Sequence, residues 1–111
     1  KPASLSQVVV TGLIRDSWQY NGVIITDALD MGAITTQYTA DKAAVLAFRA
    51  GCDILLMPQD TEAAIKALVQ AIQRGALTEA RLVPSYRITA RCQLLMKMIM
   101  QHSHLKQLNR Q

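Results

Sequence analysis

Two short apolar runs along the chain are separated by segments in which apolar residues recur at helical spacing. Residues 22–27 and 52–57 are rich in Val, Ile and Leu and present no polar face, a pattern typical of strands buried on both sides of a parallel sheet. Asp27 ends the first run, and Pro58 closes the second. The hydrophobic pattern therefore predicts two buried parallel strands.

The segment before the first run allows two interpretations. Apolar residues recur every four positions at Leu5, Val9 and Leu13, and Ser4 followed by Gln7 has the form of a capping box. Together these features predict a helix over about residues 5–17. The consecutive valines at 8–10 favour a strand instead, and the sequence alone leaves both interpretations open.

Two helices in the middle of the chain have recognisable ends. Residues 41–50 predict a helix that Gly51 ends, because glycine adopts the left-handed conformation found after many helices. Asp60 or Thr61 then caps a second helix, which Gly75 ends.

A proline divides the last helical stretch. Proline is tolerated in the first turn of a helix but not in its interior, so we expect a new helix to begin with Pro84. The residues predicted to face the core along the last two helices are Ile65, Leu68, Val69, Ile72, Ile88, Cys92, Leu95 and Ile99.

The order of these elements is helix, strand, helix, strand, helix, helix, which is the arrangement of βαβ units. A sheet of two parallel strands would have two open edges, and a complete (β/α)8 barrel takes about 250 residues. The pattern therefore predicts the α/β class, as a C-terminal fragment of a (β/α)8 TIM barrel with two parallel strands and about four helices. Residues 1–101 form this domain, and residues 102–111 form a polar basic tail.

Composition and charge exclude several classes of protein. With 50% hydrophobic and 18% charged residues the chain is not a disordered segment, and its apolar runs are too short to span a bilayer. Cys52 and Cys92 are too far apart for a metal knuckle and are predicted to be reduced, buried thiols. Residues 1–60 carry four Lys/Arg and six Asp, whereas residues 61–111 carry eight Lys/Arg and two Glu. The basic character therefore lies in the C-terminal half. The basic residues are spaced as on a solvated helix face, and no nucleic-acid partner is expected.

Asp27 is the first candidate for chemistry. Parallel α/β folds place reacting groups at the carboxyl ends of their strands, where the loops leave a crevice. A carboxylate next to so many aliphatic side chains also needs a structural reason. The alternative interpretation is that Asp27 caps the turn at residues 28–30 by accepting backbone N–H bonds.

Three stretches of the sequence carry a resemblance to a known family. Residues 2–6 (PASLS), 22–34 (GVIITDALDMGAI) and 50–58 (AGCDILLMP) resemble glycoside hydrolase family 3, in particular its bacterial β-N-acetylhexosaminidase (β-N-acetylglucosaminidase) branch. The resemblance covers roughly residues 2–95, in register with the last two strands and helices of the barrel domain of that family. The β-glucosidase and β-xylosidase branches usually have Trp or Tyr after the aspartate, where this chain has Ala28.

The resemblance implies a role for two residues. Asp27 matches the catalytic nucleophile, which attacks the anomeric carbon, forms a covalent glycosyl-enzyme intermediate and releases the sugar with retained configuration. Met31 matches a position that lines the sugar pocket, and a core methionine is its alternative interpretation. Asp30 is predicted to be a turn residue or helix cap.

Three residues around the second run are expected to be structural. Asp53 lies at the entry end of the second predicted strand, on the side that a barrel uses for stability. Met57 and Pro58 lie at the exit end, where contact with a ligand is an alternative to simple strand termination.

Retaining hydrolysis also needs a group that protonates the leaving oxygen. The resemblance assigns this task to a histidine paired with an aspartate, preceded by a Lys-His-x-Pro-Gly-His-Gly run that does not occur in this chain. His102 and His104 lie in the predicted tail, match nothing in the family pattern and lack a third ligand for a metal. No metal and no cofactor are therefore expected, and the isolated chain is expected to be nearly inactive.

By resemblance, the substrate is a terminal β-N-acetylglucosaminide or a peptidoglycan-derived sugar, in the bacterial cytoplasm or the cell envelope. The alternative is a non-enzymatic βα module that associates with itself or a partner through open strand edges, with Asp27 as a cap.

Overall fold

The computed structural model describes residues 2–109, with side chains as far as Gln101, and this part of the chain consists of helices joined by extended segments. The chain begins with a 3₁₀ turn and a π-helix, and α-helices follow. Their bounds are Ala3–Leu5 for the 3₁₀ turn, Val8–Ser17 for the π-helix, Gly32–Thr35 for α1, Ala40–Ala50 for α2, Thr61–Gln73 for α3 and Glu79–Asn109 for α4.

The segment with two interpretations is helical, although it is a π-helix. The amide of Trp18 donates to the carbonyl oxygen of Leu13 at 2.9 Å, which is the five-residue spacing of a π-turn. The predicted capping box at Ser4 is wrong. Ser6 takes that place, and its hydroxyl oxygen accepts the amide of Val9 at 3.4 Å.

The predicted ends of the two middle helices are confirmed. Gly51 follows α2 with a φ of +123°, and an added Cβ there would lie 2.6 Å from the hydroxyl oxygen of Thr11, so that only glycine fits. At the start of α3, the carboxylate of Asp60 accepts the amide of Ala63 at 3.0 Å. Gly75, with a φ of +77°, follows the end of α3.

The predicted α/β class, a TIM-barrel fragment with two parallel strands, is wrong. Within the described residues there is no strand, and the two apolar runs meet in a single isolated parallel bridge between Ile25 and Ile54. The open strand edges through which self-association was expected are therefore not found in this part of the chain.

Two backbone amides that would donate to backbone carbonyl oxygens in a regular β-sheet donate to side-chain oxygens here. The amide of Ile24 donates to the carboxylate of Asp53 at 2.9 Å, and the amide of Leu56 donates to the hydroxyl of Thr26 at 2.9 Å. The backbone bond from Thr26 to the carbonyl of Ile54, at 3.1 Å, lies between them. Regular strand pairing needs consecutive backbone–backbone hydrogen bonds. Because side chains accept two of these amides, only one bridge remains.

The core is built around α2, which contributes to all three clusters of buried apolar residues. Ala43, Ala44 and Ala47 are almost fully buried, and these small side chains allow the helix to approach its neighbours closely. On α3, the predicted inward residues Ile65 and Val69 are exposed. The residues that face α2 are Ala64, Leu68, Ala71 and Ile72.

The predicted break at Pro84 is also wrong, because α4 runs through this proline as one helix. Among the residues of α4 up to Gln101, Cys92 is the last that is half-buried, and residues 93–101 are all exposed, including the predicted core residues Leu95 and Ile99. The radius of gyration is 16.6 Å, above the roughly 13 Å expected for a compact domain of this length, since α4 extends away from the core.

The predicted polar tail is partly helical, since α4 continues to Asn109. The side chains of His102 and His104 lie outside the described residues. Among the helices of residues 2–109, none combines the length and apolar character needed to cross a membrane.

Candidate functional site

Asp27 lies at the carboxyl end of the first extended segment, next to the end of the second. The two segments run parallel, and the amide of Leu29 donates to the carbonyl oxygen of Leu56 at 2.9 Å. Thr26 is only 3% exposed, and its amide and hydroxyl both bind the second segment. Asp27 therefore follows a residue that is held in place on two sides.

A third segment holds the backbone of Asp27. The amide of Asp27 donates to the hydroxyl oxygen of Ser4 at 3.3 Å, across 23 positions of sequence. Ser4 lies in the 3₁₀ turn, and its carbonyl oxygen accepts a weak hydrogen bond from the Cys52 thiol at 3.5 Å. Apart from the resemblance of residues 2–6, no pattern in the sequence indicates this contact.

The carboxylate of Asp27 is available to solvent. The residue is exposed, and within residues 2–101 no backbone N–H or side chain donates a hydrogen bond to its carboxylate. The capping interpretation requires such bonds from the turn at residues 28–30, and the described part of the chain does not contain them. The backbone of Asp27 is thus anchored, while its carboxylate accepts no hydrogen bond from the part of the chain that the structure describes.

The turn after Asp27 leads directly into α1. The amide of Met31 donates to the carbonyl of Ala28 at 3.2 Å, and Met31 occupies the N-cap position of α1. Its side chain is 50% exposed, which argues against the core interpretation of this methionine. Asp30 lies exposed in the same turn but is not the cap residue.

Met57 has an unusual backbone conformation at the end of the second segment. Its φ is +45°, a region that residues other than glycine seldom occupy, and its side chain is 57% exposed. Strained conformations of this kind concentrate at functional sites. Pro58 marks the end of the segment in the sequence, but nothing in the pattern predicts the left-handed conformation of Met57.

Asp53 lies at the opposite end of the paired segments in a very different environment. Its carboxyl group is 4% exposed, forms a salt bridge with Arg15, and accepts the amide of Ile24 at 2.9 Å and the hydroxyl of Ser85 at 2.6 Å. This carboxylate joins the π-helix, both extended segments and α4. The interpretation of Asp53 as a structural carboxylate agrees with these contacts.

Arg81 completes the contacts between α4 and the core. Its guanidinium donates to the carbonyl oxygens of Phe48 at 2.8 Å and Cys52 at 2.7 Å and to the hydroxyl of Ser85 at 2.6 Å. It also lies 4.2 Å from the centre of the Phe48 ring. Burial lowers the pKa of Arg81, and the charge of Asp53 acts in the opposite direction.

The Cys52 thiol provides a chemical test of this buried region. Burial, together with the nearby charge of Asp53, raises the pKa of Cys52 to about 11. Because the thiolate is the reactive form, we expect N-ethylmaleimide at pH 8 to modify Cys52 at least about a hundredfold more slowly than Cys92. Peptide mass spectrometry of timed samples measures both rates.

The sign of the pH effect follows from the raised pKa of Cys52. Folding favours the neutral thiol, so this contribution to stability is present at neutral pH and is lost as the pH rises through about 11. In denaturant both thiols should react at similar rates. Equal rates in the folded protein would contradict the burial of Cys52.

The described residues include no group of three or more His, Cys, Asp or Glu side chains placed to hold a metal ion. Around the ends of the two extended segments, the described residues place two exposed carboxylates, Asp27 and Asp30, and two partly exposed methionines, Met31 and Met57.

Comparison with known families identifies most of the chain. The family described as "Glycosyl hydrolase family 3 N terminal domain" matches residues 1–91. This range contains Asp27, Met31 and the second extended segment, and it ends before the exposed part of α4.

Individual relatives are hexosaminidases. A β-hexosaminidase of Hydrogenovibrio crunogenus is 35% identical over 83 residues, covering 74% of this chain and 23% of the relative. β-Hexosaminidase A of Pseudoalteromonas piscicida is 43% identical over 58 residues, covering 52% of this chain and 10% of the relative. The structure of a family 3 β-N-acetylglucosaminidase from Paenibacillus sp. matches with a TM-score of 0.75 and 38% identity, covering 78% of this chain and 17% of that one. The chain spans less than a quarter of the length of each of these relatives.

Proposed function

This chain belongs to glycosyl hydrolase family 3, and on that premise we propose that it carries the nucleophile of a retaining β-N-acetylhexosaminidase, with Asp27 as that nucleophile. The observation that supports this most strongly is the contrast between Asp27 and Asp53, which was expected to be structural. The side chain of Asp53 is buried and hydrogen-bonded, whereas Asp27 is exposed, has an anchored backbone and receives no protein donor among residues 2–101.

The proposed chemistry has two steps. A carboxylate oxygen of Asp27 attacks the anomeric carbon, the bond to the leaving oxygen breaks, and a glycosyl ester forms. Water then attacks the same carbon, releases Asp27 and restores the original configuration. Each step needs a proton carrier for the leaving group or the water, and we assign that role to residues outside this segment.

The anchored backbone contributes to catalysis through geometry. The transition state resembles an oxocarbenium ion, and a negative charge fixed below the sugar ring stabilises it without reorganisation. The hydrogen bonds that Asp27 donates to Ser4 and that Thr26 accepts from Leu56 limit the movement of this charge. Met31, half exposed four residues after Asp27, is proposed to provide an apolar wall for the sugar.

The proposed substrate is a terminal β-linked N-acetylglucosaminide, including sugars derived from peptidoglycan. Its support is that the relatives described above are β-hexosaminidases and a β-N-acetylglucosaminidase.

Covalent trapping tests the assignment of Asp27. The test uses a chimera in which residues 2–91 of this chain replace the matching segment of the Paenibacillus enzyme. The rest of that enzyme supplies the proton carrier that this segment lacks. With a fluorinated N-acetylglucosaminyl fluoride, whose intermediate hydrolyses slowly, we expect peptide mass spectrometry to find the sugar attached to Asp27.

Two controls accompany the trapping experiment. The Asp30→Asn variant of the chimera should still be labelled at Asp27. The 111-residue chain alone should hydrolyse an aryl N-acetylglucosaminide no faster than background. A product of inverted configuration, or an adduct on another residue, would show that Asp27 is not the nucleophile.

A further inference from the structure

The distal part of α4, residues 92–101, exposes an unusual number of large apolar side chains. Six of them are each between 56% and 68% exposed: Leu94, Leu95, Met96, Met98, Ile99 and Met100. No residue from 93 to 101 is buried. This segment also lies beyond residues 1–91, which match the family, so the proposed hydrolase chemistry does not account for it.

The polar residues of this segment form one narrow strip. Gln93, Lys97 and Gln101 are spaced four residues apart and therefore lie on one side of the helix, all exposed. With about 100° per residue, the six apolar side chains span an arc of roughly 240°, which is about two-thirds of the whole circumference. A single packed helix covers a stripe of only about 100°, so one neighbouring helix would leave much of this surface in water.

The charge of α4 limits the nature of a partner. From residue 80 to residue 111 the sequence contains six Lys/Arg and no Asp or Glu. Arg87, Arg91 and Lys97 are all exposed in the described part of this stretch. Two copies of residues 80–101 would bring only positive charges together, which opposes self-association and favours an anionic surface.

We propose that residues 92–101 form a helix that binds the surface of anionic phospholipid membranes. The wide apolar arc would enter the boundary between headgroups and acyl chains, with the strip that contains Lys97 facing the headgroups and water. Arg87 and Arg91 would contact the anionic headgroups. The helix lies on the membrane and does not cross it, in agreement with the finding that no described helix is able to span one.

Vesicle co-sedimentation of the 111-residue chain tests this proposal. We expect binding to vesicles with about 30% phosphatidylglycerol to be at least about tenfold stronger than to pure phosphatidylcholine, and to weaken when salt rises from about 0.1 M to about 0.5 M. The double variant Leu95→Gln and Ile99→Gln should lose at least about tenfold in partitioning, because it removes apolar area and leaves the charge unchanged.

A matched pair on α3 provides the control. Ile65 and Val69 are also exposed apolar residues four positions apart, at 58% and 48%. Their double replacement by Gln should leave vesicle binding unchanged, and circular dichroism should show unchanged helicity in both double variants. This experiment requires no glycosidase activity, so its outcome is independent of the proposed function.

Three results would overturn the proposal. The first is the absence of binding to anionic vesicles, or equal binding to neutral ones. The second is a stable dimer in light scattering that the Leu95→Gln and Ile99→Gln variant abolishes, which would identify a second copy as the occupant. The third is tight binding to a duplex oligonucleotide without binding to vesicles, which would identify a nucleic-acid surface.

Discussion

Replacing Asp27 with asparagine in the Paenibacillus chimera is expected to lower kcat for an aryl N-acetylglucosaminide by at least about a thousandfold. The amide keeps the size of the side chain but is neutral, so it neither attacks the anomeric carbon nor stabilises the positive charge of the transition state. The exposed position of Asp27 makes a large loss of stability unexpected. Steady-state kinetics and thermal unfolding, measured on the same preparations, separate the two effects.

A second variant separates a nucleophile from a residue that only positions the substrate. When Asp27 is replaced by glycine, azide should enter the space of the carboxylate and restore turnover, giving a glycosyl azide of inverted configuration. The Asp30→Asn variant, three residues further along and also exposed, should retain kcat within about twofold. Near-normal activity of Asp27→Asn, or azide rescue that fails in a folded variant, would contradict the proposed role.

Replacing Asp53 with asparagine is expected to cost about 3 kcal/mol of unfolding free energy. The carboxyl group of Asp53 is 4% exposed and accepts bonds from Arg15, Ile24 and Ser85. The amide nitrogen of asparagine has no acceptor lone pair, so at least one of these donors loses its partner, and the guanidinium of Arg15 loses its counter-charge. Urea denaturation followed by circular dichroism measures the change.

Asp16 provides the matched control for Asp53. It lies next to Arg15 on the π-helix and is exposed, so Asp16→Asn should change stability by no more than about 0.5 kcal/mol. An equally small change for Asp53→Asn would mean that the contacts between the π-helix, the extended segments and α4 contribute little to folding.

The features that the sequence predicted correctly depend on local chemistry. Gly51 and Asp60 were identified as helix ends because a left-handed glycine and a capping carboxylate act within one turn of their own position.

The error about the two strands depended on contacts between distant residues. The two predicted strands reduce to one bridge because Asp53 and Thr26 accept amides from the opposite segment, across 29 and 30 positions respectively. The hydrophobic periodicity of the sequence does not indicate that a side chain will accept a backbone amide in this way.

Half of the predicted buried face of α3 was wrong, since Leu68 and Ile72 face the core but Ile65 and Val69 do not. Its contact with α2 uses small residues such as Ala64 and Ala71, whereas the hydrophobic pattern gives more weight to Ile65 and Val69, which the structure leaves exposed. Close packing of two helices selects for size as well as for hydrophobicity.

The side-chain acceptors Asp53 and Thr26 also affect the spectra expected of this protein. Circular dichroism and infrared spectra report regular secondary structure, so they would register the helices and almost no strand. Deuterium uptake would give a different result, because the amides of Ile24 and Leu56 are held by Asp53 and Thr26 and should exchange slowly. Spectra alone would therefore assign to irregular coil the two segments that position Asp27.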